Sequence, residues 1–286
     1  MDSMDTKEII EQYGTKSQAD LMYEAQLRAK WKFRTNVVIS WVAMLIFLLF
    51  LFSGINGSFG GFSIKTIHLD FQFIRENLAF VAGGIAQTIL ISFLSIGLAI
   101  ILALLTALGR ISNIPPIYAI CTFYVSLIRG TPLYLQIFFF FLALPQLGIV
   151  LPGLWAGVLA LGLNYGAYMS EIFRAGLSSV SKGQREAALA IGMTSAQMMG
   201  RIVVPQALRF AIPPIGNEFI AMLKDSALVS ATGFVHELMW RSTKVGRASF
   251  RNLEALVMAA IFYWAMTLIF STVQGQMETR MSKGDR

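Results

Sequence analysis

Charge is scarce in this sequence. Only 14% of its 286 residues are Asp, Glu, Lys or Arg, against 56% apolar, and mean hydropathy is +0.63. Soluble domains carry about a quarter charged residues, so a soluble fold with an ordinary hydrated surface is excluded. The single cysteine, Cys121, rules out an internal disulfide and a thiolate metal cluster. The two histidines, His68 and His236, lie far apart in sequence, and each reads as an interfacial polar residue rather than a metal ligand. No G-x-x-x-x-G-K-[ST] stretch occurs, so the chain has no P-loop for nucleotide phosphates. It also shows no low-complexity segment and no internal repeat.

Uncharged apolar runs fill the space that charge leaves. Thr35 to Gly54 and Gly84 to Leu108 have no charged residue, and each meets the ~20 residues that a bilayer core of ~30 Å requires. Six spans are expected, at about 36–54, 84–108, 115–144, 154–175, 210–230 and 253–274. The fold class is therefore an all-α integral membrane protein with six transmembrane helices. The expected organisation is an N-terminal segment (1–35), an N-terminal anchor (36–54), an outer loop (55–80) and a main domain (81–280).

The formal net charge is +7. Much of the excess flanks apolar spans, which matches the cytoplasmic preference of Lys and Arg better than nucleic-acid binding. "RAKWKFR" (Arg28 to Arg34) places the N-terminus in the cytoplasm, and six spans return the basic "METRMSKGDR" end to the same side. The segment between spans four and five, with Arg174, Lys182, Arg185, Arg201 and Arg209, is cytoplasmic too. Arg241, Lys244, Arg247 and Arg251 then fall outside, so their loop packs on the membrane surface or is covered by a partner. The polar lead is too long for a signal peptide. Ser17 is a candidate cap for a short surface helix running to about Phe33. The Asn56 sequon is three residues long and carries no weight.

Between spans four and five lies "EAALAIGMTSAQMMGRIVVP" (Glu186 to Pro205). Ser181 with Gln184, and Thr194 with Gln197, both fit capping boxes. Gly192 suits the left-handed residue that ends a helix. The segment reads as helix, tight turn and second helix to about Val203, with Pro205 opening the next element. Ala187, Ala188 and Ala190 leave a slim surface, suited to a docked partner or to a membrane-surface connector.

Glu186-Ala187-Ala188, Gly192, Ile202 and Pro205 together resemble the EAA loop of ABC-importer permeases. "RGTPLYLQ" (Arg129 to Gln136), "NYGAYMSEIFRAG" (Asn164 to Gly176) and "LKDSAL" (Leu223 to Leu228) resemble the polar amino acid branch, the histidine, glutamine and arginine permeases. Ser226-Ala227 departs from the Thr-Ser more usual there. The resemblance spans residues 80–280, a five-helix core, and leaves the N-terminal span as an addition. It implies a permease subunit of the bacterial inner membrane, itself no enzyme, whose loop 181–205 docks on separate ABC ATPase subunits through Glu186, Ala187, Ala188, Gly192 and Pro205. An extracytoplasmic substrate-binding protein and a second permease copy or paralogue are implied partners. ATP and Mg sit on the ATPase, and no cofactor or metal on this chain.

The polar residues inside spans have two readings each. Thr131 is a candidate N-cap and Pro132 an N1 residue, so span three reads as broken. Gly130 and Thr131 then face substrate, as the resemblance favours, or relieve a kink with Arg129 snorkelling. Gln136 belongs to the same motif and the same pathway group. Asn164, Tyr168 and Glu171 share a helix face. The first two are assigned to the pathway, and Glu171 to a structural pair with Arg174. Pro213-Pro214 interrupts span five, which also carries Asn217, Glu218, Lys224 and Asp225. Glu218 is the candidate for a substrate ammonium. Lys224 and Asp225 line the pathway or pair across a dimer interface. The rival reading is a secondary transporter driven by protons or sodium through these charges.

Overall fold

The computed structural model describes residues 18–59 and 62–282. They fall into two units, 1–69 and 70–286. In the first unit, α1 (Gln18–Leu51) is followed by a small antiparallel pair, β1 (Asn56–Phe59) and β2 (Phe62–Lys65). The expected surface helix ending near Phe33 is not separate. No glycine or proline interrupts Gln18–Leu51, so one helix carries the "RAKWKFR" cluster straight into the apolar span. The proposed cap, Ser17, lies outside the described residues.

Among the described residues, the second unit is built of helices and their connections. It holds α2 (Phe71–Ala82), α3 (Ile85–Arg110), α4 (Pro115–Arg129), α5 (Leu133–Phe138), α6 (Gly153–Ser179), α7 (Lys182–Ala190), α8 (Ser195–Met198), α9 (Val204–Asp225), α10 (Leu238–Ala248) and α11 (Asn252–Ser282). Among the described residues, three helical stretches are long and apolar enough to cross a membrane, Asp20–Leu51, Phe71–Arg110 and Asn252–Arg280. The bent pair Pro115–Arg129 and Leu133–Leu147 is a fourth, with 106° between its halves. Helices α6 and α9 are also long, at 27 and 22 residues, but are less apolar and are not among these stretches.

The central seam joins α3 to α6. Ala99, Ala103 and Ala107 repeat every fourth residue along α3 and are wholly buried. Facing them, Gly166 has no room for a side chain: a Cβ there would lie 2.9 Å from Tyr124 Oη and 3.0 Å from Leu102 Cβ. That clearance lets Tyr124 donate to the Leu163 carbonyl at 2.6 Å. Small residues replace bulk here because lipid supplies no hydrophobic drive between helices, and close backbone approach gains dispersion and hydrogen bonds instead.

Two loops contain elements that apolar run length does not reveal. The 55–80 segment includes α2, capped by Asp70 accepting from Phe73 N at 3.0 Å. The basic 230–252 segment contains α10, capped by the fully buried Glu237. Glu237 accepts from Met239 N at 2.8 Å, Trp240 N at 2.6 Å and Tyr263 Oη at 2.7 Å. The cations of this segment are largely engaged within the unit. Arg241 donates to the Phe80 carbonyl, Lys244 lies over the Trp240 ring, and Arg251 pairs with Asp70 and Glu254. His236 stacks on Trp240.

Candidate functional site

The hairpin after α6 forms largely as its residues require. Gln184 N donates to Ser181 Oγ at 3.4 Å, which is one half of the expected capping box. Thr194 and Gln197 make both halves, at 2.9 and 3.2 Å. Gly192 has φ +84°, a value that side-chain-bearing residues rarely adopt. Its amide donates to Leu189 O, and that of Met193 to Ala188 O, so the orphan carbonyls at the end of α7 are filled. Leu189 and Ile191 stand exposed at the tip beside Ala187 and Glu186.

Two details differ from expectation. Ala188 is 2% exposed and packs into the core, because its side chain lies on the inner face of α7. The second helix does not end near Val203. A π-helical turn, Met199–Val203, carries it into α9, and Pro205, which has no N–H to return to the preceding turn, directly follows that irregular stretch.

The break in span three begins one residue later than expected. Pro132 is the N-cap and the helix starts at Leu133. Thr131 does not cap it. Its hydroxyl turns back to donate to Leu127 O at 3.0 Å, and it accepts from Gln136 Nε2 at 2.9 Å. Gln136 Nε2 also donates to Ile128 O at 2.8 Å, while its Oε1 accepts from Asn164 Nδ2 at 3.1 Å. A buried glutamine and a buried asparagine thus satisfy carbonyls freed by the break and tie α5 to α6. Unpaired, each such carbonyl costs roughly 1–3 kcal/mol.

Beside the break is an open cavity of about 580 Å³, lined by Arg129 to Leu133, Asn164, Tyr165, Tyr168, Glu218 and Asp225. Five segments meet there: α4, the break, α5, α6 and α9. The structure therefore brings together Gly130, Thr131, Asn164, Tyr168, Glu218 and Asp225. It leaves Gln136, Asn217 and Lys224 off the lining. Asn217 turns to α11, where its Oδ1 accepts from Gln274 Nε2 at 3.0 Å. Gln274 also donates to Pro213 O at 3.1 Å and Glu278 Oε1 at 2.9 Å. Asp225 accepts from Tyr165 Oη at 2.8 Å rather than pairing with its neighbour Lys224, which is exposed.

Below the lining, Glu171 gathers three guanidinium groups. Arg110 lies at 2.5 Å, Arg174 at 2.8 Å and Arg129 at 3.5 Å. The i,i+3 pair with Arg174 was legible in sequence. Arg110, from the end of α3, and Arg129, from the end of α4, were not, because only the packing of three helices brings them there. Among the described residues, no cluster of three His, Cys, Asp or Glu could hold a metal ion.

The apolar helices and the bent span define a multi-pass membrane protein, with an open cavity of ionisable and hydrogen-bonding groups beside the break. Residues 95–283 match the family of binding-protein-dependent transport system inner membrane components. The arginine transport system permease ArtQ of Bacillus subtilis is 37% identical over 220 residues, 77% of this chain and 100% of that protein. The L-cystine permease TcyB of the same organism is 41% identical over 207 residues, 71% and 87% of the two chains. A crystal structure of an amino acid ABC transporter with histidines superposes with a TM-score of 0.70 at 37% identity, covering 75% of this chain and all of that one. The MetNI methionine transporter, at 16% identity and a TM-score of 0.58, shares the fold. The chain belongs to this family, as a multi-pass inner-membrane permease subunit of the polar amino acid ABC importers; it is not an enzyme, and the ATPase is a separate subunit.

Proposed function

We propose that this chain carries an amino acid with a cationic side chain through the cavity, driven by ATPase subunits docked on residues 181–205. The observation that carries this reading is the lining, which holds two carboxylates, Glu218 and Asp225, and one guanidinium, Arg129. A zwitterion matches one charge of each sign, and the second carboxylate matches a further positive group on the substrate. Carboxylates held in a partly desolvated site attract such groups far more strongly than in water.

The hairpin is the coupling element. Its apolar tip, Leu189 and Ile191, is exposed, and Glu186, Ala187, Gly192 and Pro205 are exposed around it. Ala188 anchors α7 from below. Arg185 donates to the Leu177 carbonyl, so movement of the hairpin is passed to the end of α6. Six spans with both termini in the cytoplasm put this hairpin on the ATP side. ATP and Mg are bound by the partner. An extracytoplasmic binding protein delivers substrate, and a second permease copy or paralogue completes the path.

The test is uptake into proteoliposomes holding the permease, its ATPase and its binding protein, with labelled L-arginine, L-histidine, L-glutamine and L-cystine. ATP-dependent uptake should be strongest for L-arginine and weaken in Glu218→Gln and Asp225→Asn. Preference for glutamine, unaffected by either substitution, would overturn the charge reading. Uptake that persists without the ATPase would favour proton or sodium coupling instead.

A further inference from the structure

Snorkelling of Arg129 is the less favoured of the two sequence readings of the break, and Arg129 is the one cation among the residues lining the cavity. Its guanidinium sits 5.0 Å over the Tyr168 ring, and 43% of its side chain is exposed. The ring attracts the cation without consuming its N–H donors.

Its ion-pair partner, Glu171, is already claimed. Arg174 holds Glu171 Oε2 at 2.8 Å and Arg110 holds Oε1 at 2.5 Å; Arg129 reaches the same Oε1 only at 3.5 Å. Arg110 is also the most enclosed of the three, with a side chain 17% exposed. One carboxylate cannot neutralise three guanidinium groups. Two positive charges are left over, and Arg129, the farthest of the three from Glu171, is the one that lines the cavity.

We infer that Arg129 is the anchor for the substrate's α-carboxylate, a role that rests on the cavity being the substrate site. The guanidinium offers a planar pair of donors that matches a carboxylate edge to edge. Glu171 holds it in reserve and loses little on releasing it, since Arg110 and Arg174 remain. Glu218 and Asp225 are left for the positive groups of the substrate. Binding of a carboxylate at Arg129 thereby reaches the three-helix junction of α3, α4 and α6, because the arginine that moves is shared between them.

The experiment uses the permease bound to its ATPase in nanodiscs, without the binding protein, so that selectivity belongs to the cavity. Binding of labelled L-arginine is competed with L-argininamide and with agmatine, which lack the carboxylate. Wild type should prefer L-arginine by about 10-fold or more, the usual loss when a charge-assisted hydrogen bond is removed. Arg129→Gln should bring that ratio close to one. Arg129→Lys, which keeps the charge and loses the fork, should fall between, and Glu171→Gln should raise the ratio by freeing the guanidinium. If Arg129→Gln does not assemble, the last two variants decide. Wild-type discrimination in Arg129→Gln or Arg129→Lys, or a lowered ratio in Glu171→Gln, removes the role given to Arg129. A wild-type complex that binds none of the three probes overturns the cationic-substrate reading on which this role rests.

Discussion

Two interruptions of helical structure in this chain are built on opposite principles. The hairpin turn at Ile191–Thr194 closes its exposed backbone groups with residues no more than five positions away: Gly192 and Met193 on Leu189 and Ala188, Thr194 on Gln197. The break at Arg129–Pro132 draws on Gln136, and through it on Asn164, 28 residues further along in another helix. The first is in contact with water and with whatever docks there, so local caps suffice. The second lies within a bent membrane-spanning pair, where the freed carbonyls take their donor from Gln136 of the second half and Gln136 is in turn held by Asn164 of a neighbouring helix.

The largest effect expected from disturbing this contrast is at Gly192. Proline cannot reach φ +84° and has no amide for Leu189 O. Gly192→Pro should abolish ATP-dependent uptake and release the ATPase on co-purification, while leaving the thermal midpoint of the permease itself nearly unchanged. Unchanged coupling would make the hairpin a passive connector.

Gln136→Leu comes next and should act in the reverse way. It strips donors from the Ile128 and Thr131 carbonyls and a partner from Asn164, a loss of ~2–3 kcal/mol, read as a lower melting temperature in detergent. Binding of the ATPase should survive. Thermal stability equal to wild type would mean that the break needs no donor from α5.

A smaller test separates two adjacent residues of α9. Glu218→Gln should raise the KM for uptake about 10-fold, as expected from losing a charge-assisted contact. Asn217→Ala, which faces Gln274, should leave KM unchanged and lower stability by ~1 kcal/mol. The reverse pattern would mean that the assigned faces of α9 are exchanged. The smallest effect is Thr194→Ala, which removes a single cap worth ~1 kcal/mol, read as faster exchange of the Gln197 amide with little change in transport.

The same contrast explains what was legible beforehand. Gly192, Thr194 and Gln197 are recognisable because turn chemistry depends on residue type at offsets of two to five. The family followed from that segment and from "RGTPLYLQ". Thr131 misled because a threonine before a proline suits a cap, yet its hydroxyl found the carbonyls of the preceding helix and Gln136. Asn217 misled because a helical wheel gives a face without saying what lies opposite. Glu237 and α10 carried no signal in hydropathy, since a short capped helix with four basic residues in and after it reads as a loop.

The amino-acid order alone determined the apolar spans, the capped hairpin and the membership of a permease family, because run length and i to i+4 chemistry act within one element. Tertiary structure decided which polar side chains share a cavity and which are spent holding helices together. Arg110, Arg129 and Glu171 come from three different helices. Their meeting depends on the close approach that Ala99, Ala103, Ala107 and Gly166 permit, and packing of that kind has no local code.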